Sequence, residues 1–94
     1  MADGPDIAEV AALIGDPARA AMLCALMDGR ALTAGELAAV AGVAPQTASA
    51  HLGRLLAGGL LAVEKQGRHR YFRIACPEAA DAIDALCALA PAAR

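Results

Sequence analysis

Five side chains between residues 45 and 57, in the run PQTASAHLGRLLA, could make directional contacts to a polyanion or to base edges: Gln46, Thr47, Ser49, His51 and Arg54. At 100° per residue, Gln46, Thr47, Ala50 and Arg54 share one side of a helix and Ser49 and His51 flank it. Ala48, Leu52 and Leu55 point the other way. No acid occurs anywhere in the run. Amides, hydroxyls and imidazoles can bond base edges and phosphates in a major groove, whereas carboxylates would be repelled. The plainer reading is a solvated helix face, but such a face usually carries Glu or Asp. A second group, Lys65, Arg68, His69 and Arg70, crowds the residues around Gly67. Like charges this close repel one another by about a few tenths of a kcal/mol, and phosphates would relieve the repulsion. Charge at the tip of an edge hairpin can also serve only to block aggregation.

The charge is segregated along the chain. Residues 45–74 hold five basic side chains against one acid, a balance of +4, while residues 1–44 stand at −4 and residues 75–94 at −2. A basic stripe inside an acidic chain is an electrostatic footprint for a polyanion, whatever the formal total of −2.

These residues need a scaffold. Apolar Ile7, Val10, Ala11 and Ile14 predict a first helix over 5–14, ended by Gly15. Asp16-Pro17 is a good helix start, and PARAAMLCALMD follows as a second helix before Gly29. Thr33 and Glu36 fit a capping box for a short third helix that stops at Gly42. A fourth helix runs from Pro45 to about Ala57, and Gly58-Gly59 ends it. Leu60–Lys65 and His69–Ile74 read as two strands around the turn Gln66-Gly67-Arg68. Pro77 opens a last helix whose Ala79, Ala82, Ile83, Leu86 and Leu89 form an apolar stripe. The third and fourth helices, joined by Gly42-Val43-Ala44, have the helix-turn-helix spacing.

Ninety-four residues make one domain, and 59% hydrophobic content with only 2% aromatic makes a thin, helix-rich core. Twenty-seven residues are alanine, which favours helix but buries little area. Dimerisation is the expected supplement. Three cysteines without CxxC spacing do not make a disulfide framework. The acidic start MADGPD lacks the basic flank of a signal peptide and no apolar run approaches a membrane span, so the expectation is a cytoplasmic chain with no membrane partner. No phosphate loop, nucleophile elbow or cofactor motif is present. The chain reads as a non-enzyme without a cofactor.

The runs IGDPARAAMLCALMDG, LTAGELAAVAGVAPQTASAHLGRLLAGGLL and QGRHRYFRI resemble the ArsR/SmtB family of bacterial winged-helix repressors over almost the whole chain, from about Ile7 to Leu89. The marks are Asp16-Pro17-x-Arg19, Glu36-Leu37-Ala38, His51-Leu52 followed by Leu55, Gly59-Leu60, and Gly67-Arg68 followed by Tyr71. The resemblance implies a mostly α fold with a small β-hairpin, a dimeric winged helix-turn-helix of order α-α-α-α-β-β-α. It implies a sequence-specific repressor that binds double-stranded operator DNA as a homodimer, with helices 5–14 and 77–90 at the interface. Residues 45–57 would read the major groove and a wing over 60–74 would touch backbone or minor groove through residues 65–70. One departure is Ala44, where the family usually has a capping serine; its loss should cost about 1 kcal/mol, partly offset by Pro45. Ala50 on the groove face leaves less direct base reading.

Many members of that family release DNA on binding a metal. The third-helix metal site would need a cysteine pair where Ala34 and Gly35 stand, and the last-helix site would need a histidine beside Glu78, Asp81 and Asp84. Neither is intact, and no metal site is expected. Cys24 coincides with a cysteine of the sulfide- and redox-responsive branch, where it works with a partner in the last helix; here Cys87 lies in that helix, about one turn early. The resemblance therefore implies a Cys24–Cys87 thiol sensor, against the simpler reading of Cys24 as a small buried hydrophobe among Met22, Leu23 and Leu26. Two other classes compete: a winged-helix module that binds protein rather than operator, and a metal-responsive repressor with a non-standard site. The inducer stays open.

Overall fold

Three helix starts are written into the sequence in the same way. Asp6, Asp16 and Thr33 each precede a helix, and each side-chain oxygen accepts the backbone N–H three residues on, from Glu9, Arg19 and Glu36 at 3.0, 3.0 and 3.2 Å. The computed structural model describes residues 6–92. In order they form α1 (Ile7–Ile14), α2 (Pro17–Ala25), α3 (Ala34–Ala41), α4 (Pro45–Ala57), β1 (Leu61–Gln66), β2 (His69–Ile74) and α5 (Pro77–Leu89). Pro5, expected to open the first helix, lies outside the described residues.

The bounds of α2 and β1 differ from expectation. α2 ends at Ala25 rather than running through Met27, because Asp28 and Gly29 both take positive φ and turn the chain. The first strand starts at Leu61 rather than Leu60 and extends through Gln66, which pairs with His69. The hairpin turn is therefore only Gly67-Arg68. A positive φ at its first central residue, Gly67, suits a two-residue loop of the II′ kind. Leu60 instead faces inward, and its N–H caps α4 by donating to Leu55 O at 3.0 Å.

The hairpin is antiparallel, with Val63 opposite Phe72 and Leu61 opposite Ile74. A short bridge from Leu32 to Phe72, bonded both ways at 3.0 and 2.7 Å, ties the α2–α3 connection to β2. The core is Met22, Leu23 and Leu26 of the α2 region, Leu37 and Ala38 of α3, and Ala48, Leu52 and Leu55 of α4. Leu60, Leu61, Phe72, Ala79 and Ile83 close it. Burying each Leu or Phe contributes about 1.5–3 kcal/mol.

Apolar residues are left outside that core. α1 buries none of its side chains, with Ile7 76% exposed, and on α5 Leu89 is 82% exposed while Ala79 and Ile83 face inward. The expected stripes of α1 and α5 thus remain partly unpartnered on the single chain. No described helix is long and apolar enough to cross a membrane.

Candidate nucleic-acid interface

α3 and α4 meet at Gly42, whose φ of 67° and ψ of 35° lie in the left-handed region that glycine adopts without steric cost. Its N–H bonds the carbonyls of Ala38 and Ala39, closing α3. The N–H of Val43 also bonds Ala38 O, at 3.1 Å. The turn then delivers Ala44 and Pro45 to the start of α4. There Ala44 makes no side-chain cap bond, and Pro45 supplies a preset φ.

Once α4 buries Ala48, Leu52 and Leu55, its other side is determined. Gln46, Thr47, Ser49, Ala50 and Arg54 are all exposed, as the helical spacing predicts. The wing brings a second group alongside. Lys65 and Arg70 are directly opposed across the hairpin, Arg68 sits in the turn, and His69 is paired with Gln66. All four are exposed. The Arg70 guanidinium lies 5.9 Å from the centre of the Phe72 ring, which orients it over the inward face of the sheet. Ser49, Gly53 and Leu56 of α4 line one open trough of about 440 Å³ together with Arg68, His69 and Arg70 of the wing and Thr33, Ala34 and Gly35 at the start of α3. Helix and wing therefore share a continuous surface.

The stripe is less uniform than its sequence suggests. Arg73 donates through Nε to Glu64 Oε1 at 3.0 Å on the outer face of the hairpin, so its charge is paired. His51 is also placed differently from the other candidates. Its side chain is 17% exposed, with Nδ1 3.1 Å from Arg19 Nη1 and Nε2 3.8 Å from Asp16 Oδ2. The physical reason is angular: His51 lies only 40° around the helix from Leu55, on the flank that meets α2. Asp16 is held below the usual carboxylate range, chiefly by the backbone N–H of Arg19 against some desolvation, with the Arg19 charge adding. Arg19 was legible only as part of the Asp-Pro-x-Arg run; nothing in its spacing announced a bond to α4.

The cysteines separate into two cases. Cys24 and Cys87 lie side by side between α2 and α5, in an apolar pocket of about 170 Å³ lined also by Ile14, Leu23, Ile83 and Leu86. On the single chain Cys24 is exposed rather than part of the core. Partial burial of its thiol, helped by the Cys87 thiol beside it, pushes its pKa above the ordinary value. Both cysteines are free thiols. Cys76 stands apart as the N-cap of α5 and makes no cap bond. Among the described residues, no three His, Cys, Asp or Glu side chains converge as metal ligands would.

The family described as a helix-turn-helix domain matches residues 14–64. The chain is 51% identical over 90 residues to an uncharacterized HTH-type transcriptional regulator, YdfF, of Bacillus subtilis strain 168. That match covers 96% of this chain and 40% of the relative, so the chain spans well under half the length of that protein. Among solved structures, it superposes on the homodimeric winged helix-turn-helix DNA-binding domain of Mb0332 from Mycobacterium bovis, a possible ArsR-family regulator. There the TM-score is 0.80 at 27% identity, covering 95% of this chain and 89% of that one. It likewise superposes on the transcriptional repressor BigR of Xylella fastidiosa, with a TM-score of 0.80 at 25% identity over 94% and 89% of the two chains.

Proposed function

The chain belongs to the winged helix-turn-helix transcriptional regulators of the ArsR/SmtB type, and from that premise we propose that it represses by binding operator DNA as a homodimer. α4 enters the major groove, where Gln46, Thr47 and Ser49 meet base edges and nearby phosphates. Arg54, Lys65, Arg68, His69 and Arg70 bind the phosphate backbone, with the wing tip reaching backbone or minor groove. The observation that carries this reading is the acid-free exposed face of α4, whose Ser49 and Gly53 flank lines one trough with the basic wing tip. The exposed apolar side chains of α1 and α5 support self-association there. The relatives' descriptions, a homodimeric DNA-binding domain and a repressor, point the same way.

The test is binding to randomised duplex DNA across a salt series, with the mass of the free protein measured by sedimentation. Affinity should fall steeply and linearly on a log–log plot as salt rises, because each phosphate contact releases condensed counterions. Absence of DNA binding even at low salt would favour a protein-binding role for the same surface and end the operator reading.

The adjacency of Cys24 and Cys87 favours a thiol-controlled release of DNA. An oxidant or polysulfide would take up two electrons while both thiols lose their protons and their sulfurs become linked. The raised pKa of Cys24 favours its thiol form, so it gives up its proton as the sulfurs link. Mass spectrometry after polysulfide treatment should find a Cys24–Cys87 link together with weakened DNA binding. A link that leaves affinity unchanged would assign the pair to packing.

A further inference from the structure

Arg19 makes three side-chain hydrogen bonds, and each leaves its own helix. Nε donates to Leu13 O at 2.7 Å and Nη2 donates to Ala12 O at 3.2 Å. Those carbonyls belong to the last turn of α1, where helix geometry leaves acceptors without partners and the dipole favours a cation. The third bond runs from Nη1 to Nδ1 of His51, in the middle of α4, at 3.1 Å. A guanidinium only donates, so Nδ1 of His51 is the acceptor and the ring proton sits on Nε2, toward Asp16. Asp16 in turn caps α2 through the N–H of Arg19. One rigid planar group thus joins the end of α1 to α4.

A second contact reinforces the first. Leu13 of α1 lies directly over Gly58, the C-cap of α4, so closely that a Cβ on residue 58 would overlap Leu13 Cδ1. The absence of a side chain at 58 lets α1 lie on the end of α4. Leu13, Arg19, Arg54 and Gly58 line the same shallow cleft between the two helices.

We infer that Arg19 is a positioning residue for DNA recognition: the Arg19–His51 clasp, with the Leu13–Gly58 contact, fixes α4 relative to α1 and thereby sets the half-site spacing that the dimer accepts. This rests on the homodimeric DNA-binding reading above, in which α1 lies at the interface and α4 in the groove. Dimer geometry converts the distance between two recognition helices into a required separation of half-sites. Within that geometry His51 serves the clasp rather than the bases.

The experiment uses the full chain and a duplex that the wild type itself selects from a randomised pool. Three probes are compared: that duplex, the same duplex with one base pair inserted between its half-sites, and a duplex with one half-site. In the wild type the insertion should weaken binding by about tenfold or more. Arg19→Lys keeps the charge but cannot span three acceptors with one ammonium. It should bind the selected duplex about tenfold more weakly, shrink the insertion penalty to about threefold or less, and leave single half-site binding and the salt slope unchanged. Arg19→Met should do the same. Gly58→Ala, which pushes Leu13 aside without touching any charge, should also shrink the penalty, and it carries the comparison if Arg19→Met does not fold. A full insertion penalty in folded, dimeric Arg19→Lys overturns the inference. So does an equal loss on all three probes, which would make Arg19 a stabilising or phosphate-binding residue. A wild type that is monomeric or binds all duplexes alike fails before any variant is compared, and the operator reading falls with it.

Discussion

α3 and α4 flank the same turn, yet their starts are built differently. α3 opens on a complete capping box: Thr33 Oγ accepts from the Glu36 N–H, and Glu36 Oε1 accepts from the Thr33 N–H at 2.9 Å. α4 opens on Ala44, with no side-chain bond, and relies on Pro45 alone. Below their starts the two helices are alike, each anchored by a fully buried leucine, Leu37 in one and Leu52 in the other. The difference shows where rigidity is needed locally and where it is borrowed. The supporting helix is closed by its own side chains, whereas the helix proposed to enter the groove keeps its first-turn polar groups free and is held from outside, by its buried leucines and by His51 bonded to Arg19.

The sharpest challenge to that comparison is in the shared part. Leu37→Ala and Leu52→Ala should each destabilise the fold by about 2–5 kcal/mol in chemical denaturation. A far smaller loss at Leu52 would mean that α4 is not anchored by its buried face. Next in size is an effect confined to DNA. Gln46→Ala should relax preference at one base-pair position by about 1–3 kcal/mol while leaving general affinity nearly intact, measured by competition between the selected duplex and its point variants. Equal loss on every sequence would move Gln46 from bases to phosphates.

Smaller still are the caps. Thr33→Ala should cost about 1 kcal/mol, and Ala44→Ser should gain up to about 1 kcal/mol, both read from urea midpoints. No gain at Ala44 would mean that Pro45 already supplies what a cap would. The smallest effect is in acid. The Thr33 backbone N–H, and then its hydroxyl, hold Glu36 below the usual glutamate range. A carboxylate with a folded pKa below its unfolded value stabilises above the unfolded value and loses that contribution as pH falls through the folded one. The wild type should therefore lose stability below about pH 4 more steeply than Glu36→Gln does. Asp16 has the same sign and should leave a residual acid dependence in both.

Much of this was readable from residue order. Thr33 and Glu36 announced the capping box, Gly42 the turn, and the alternation of Ala48, Leu52 and Leu55 with polar residues fixed which side of α4 faces out. The unread parts share a cause: they depend on distant segments meeting. Leu32 bonds Phe72 through a bridge too short to leave any periodicity. α2 stops at Ala25 because of backbone angles at Asp28 and Gly29, although an aspartate alone would not disclose a positive φ. His51 is polar and stands next to exposed α4 residues in sequence, so only the approach of α2 shows where its ring turns. Spacing alone left Cys24 and Cys87 unrelated; folding puts them in one pocket.

Among the described residues, the interior contains no buried polar or charged side chain. Its members meet through dispersion and the exclusion of water, forces that carry no preferred direction. An interior of that kind accepts exchange of one aliphatic side chain for another of similar volume with little penalty. Orientation must then be inherited from the rim, where Asp16, Arg19, Thr33, Glu36 and His51 make the directional bonds. Over long descent such a domain can rewrite most of its interior and still hold its shape, provided that a handful of surface bonds is passed on.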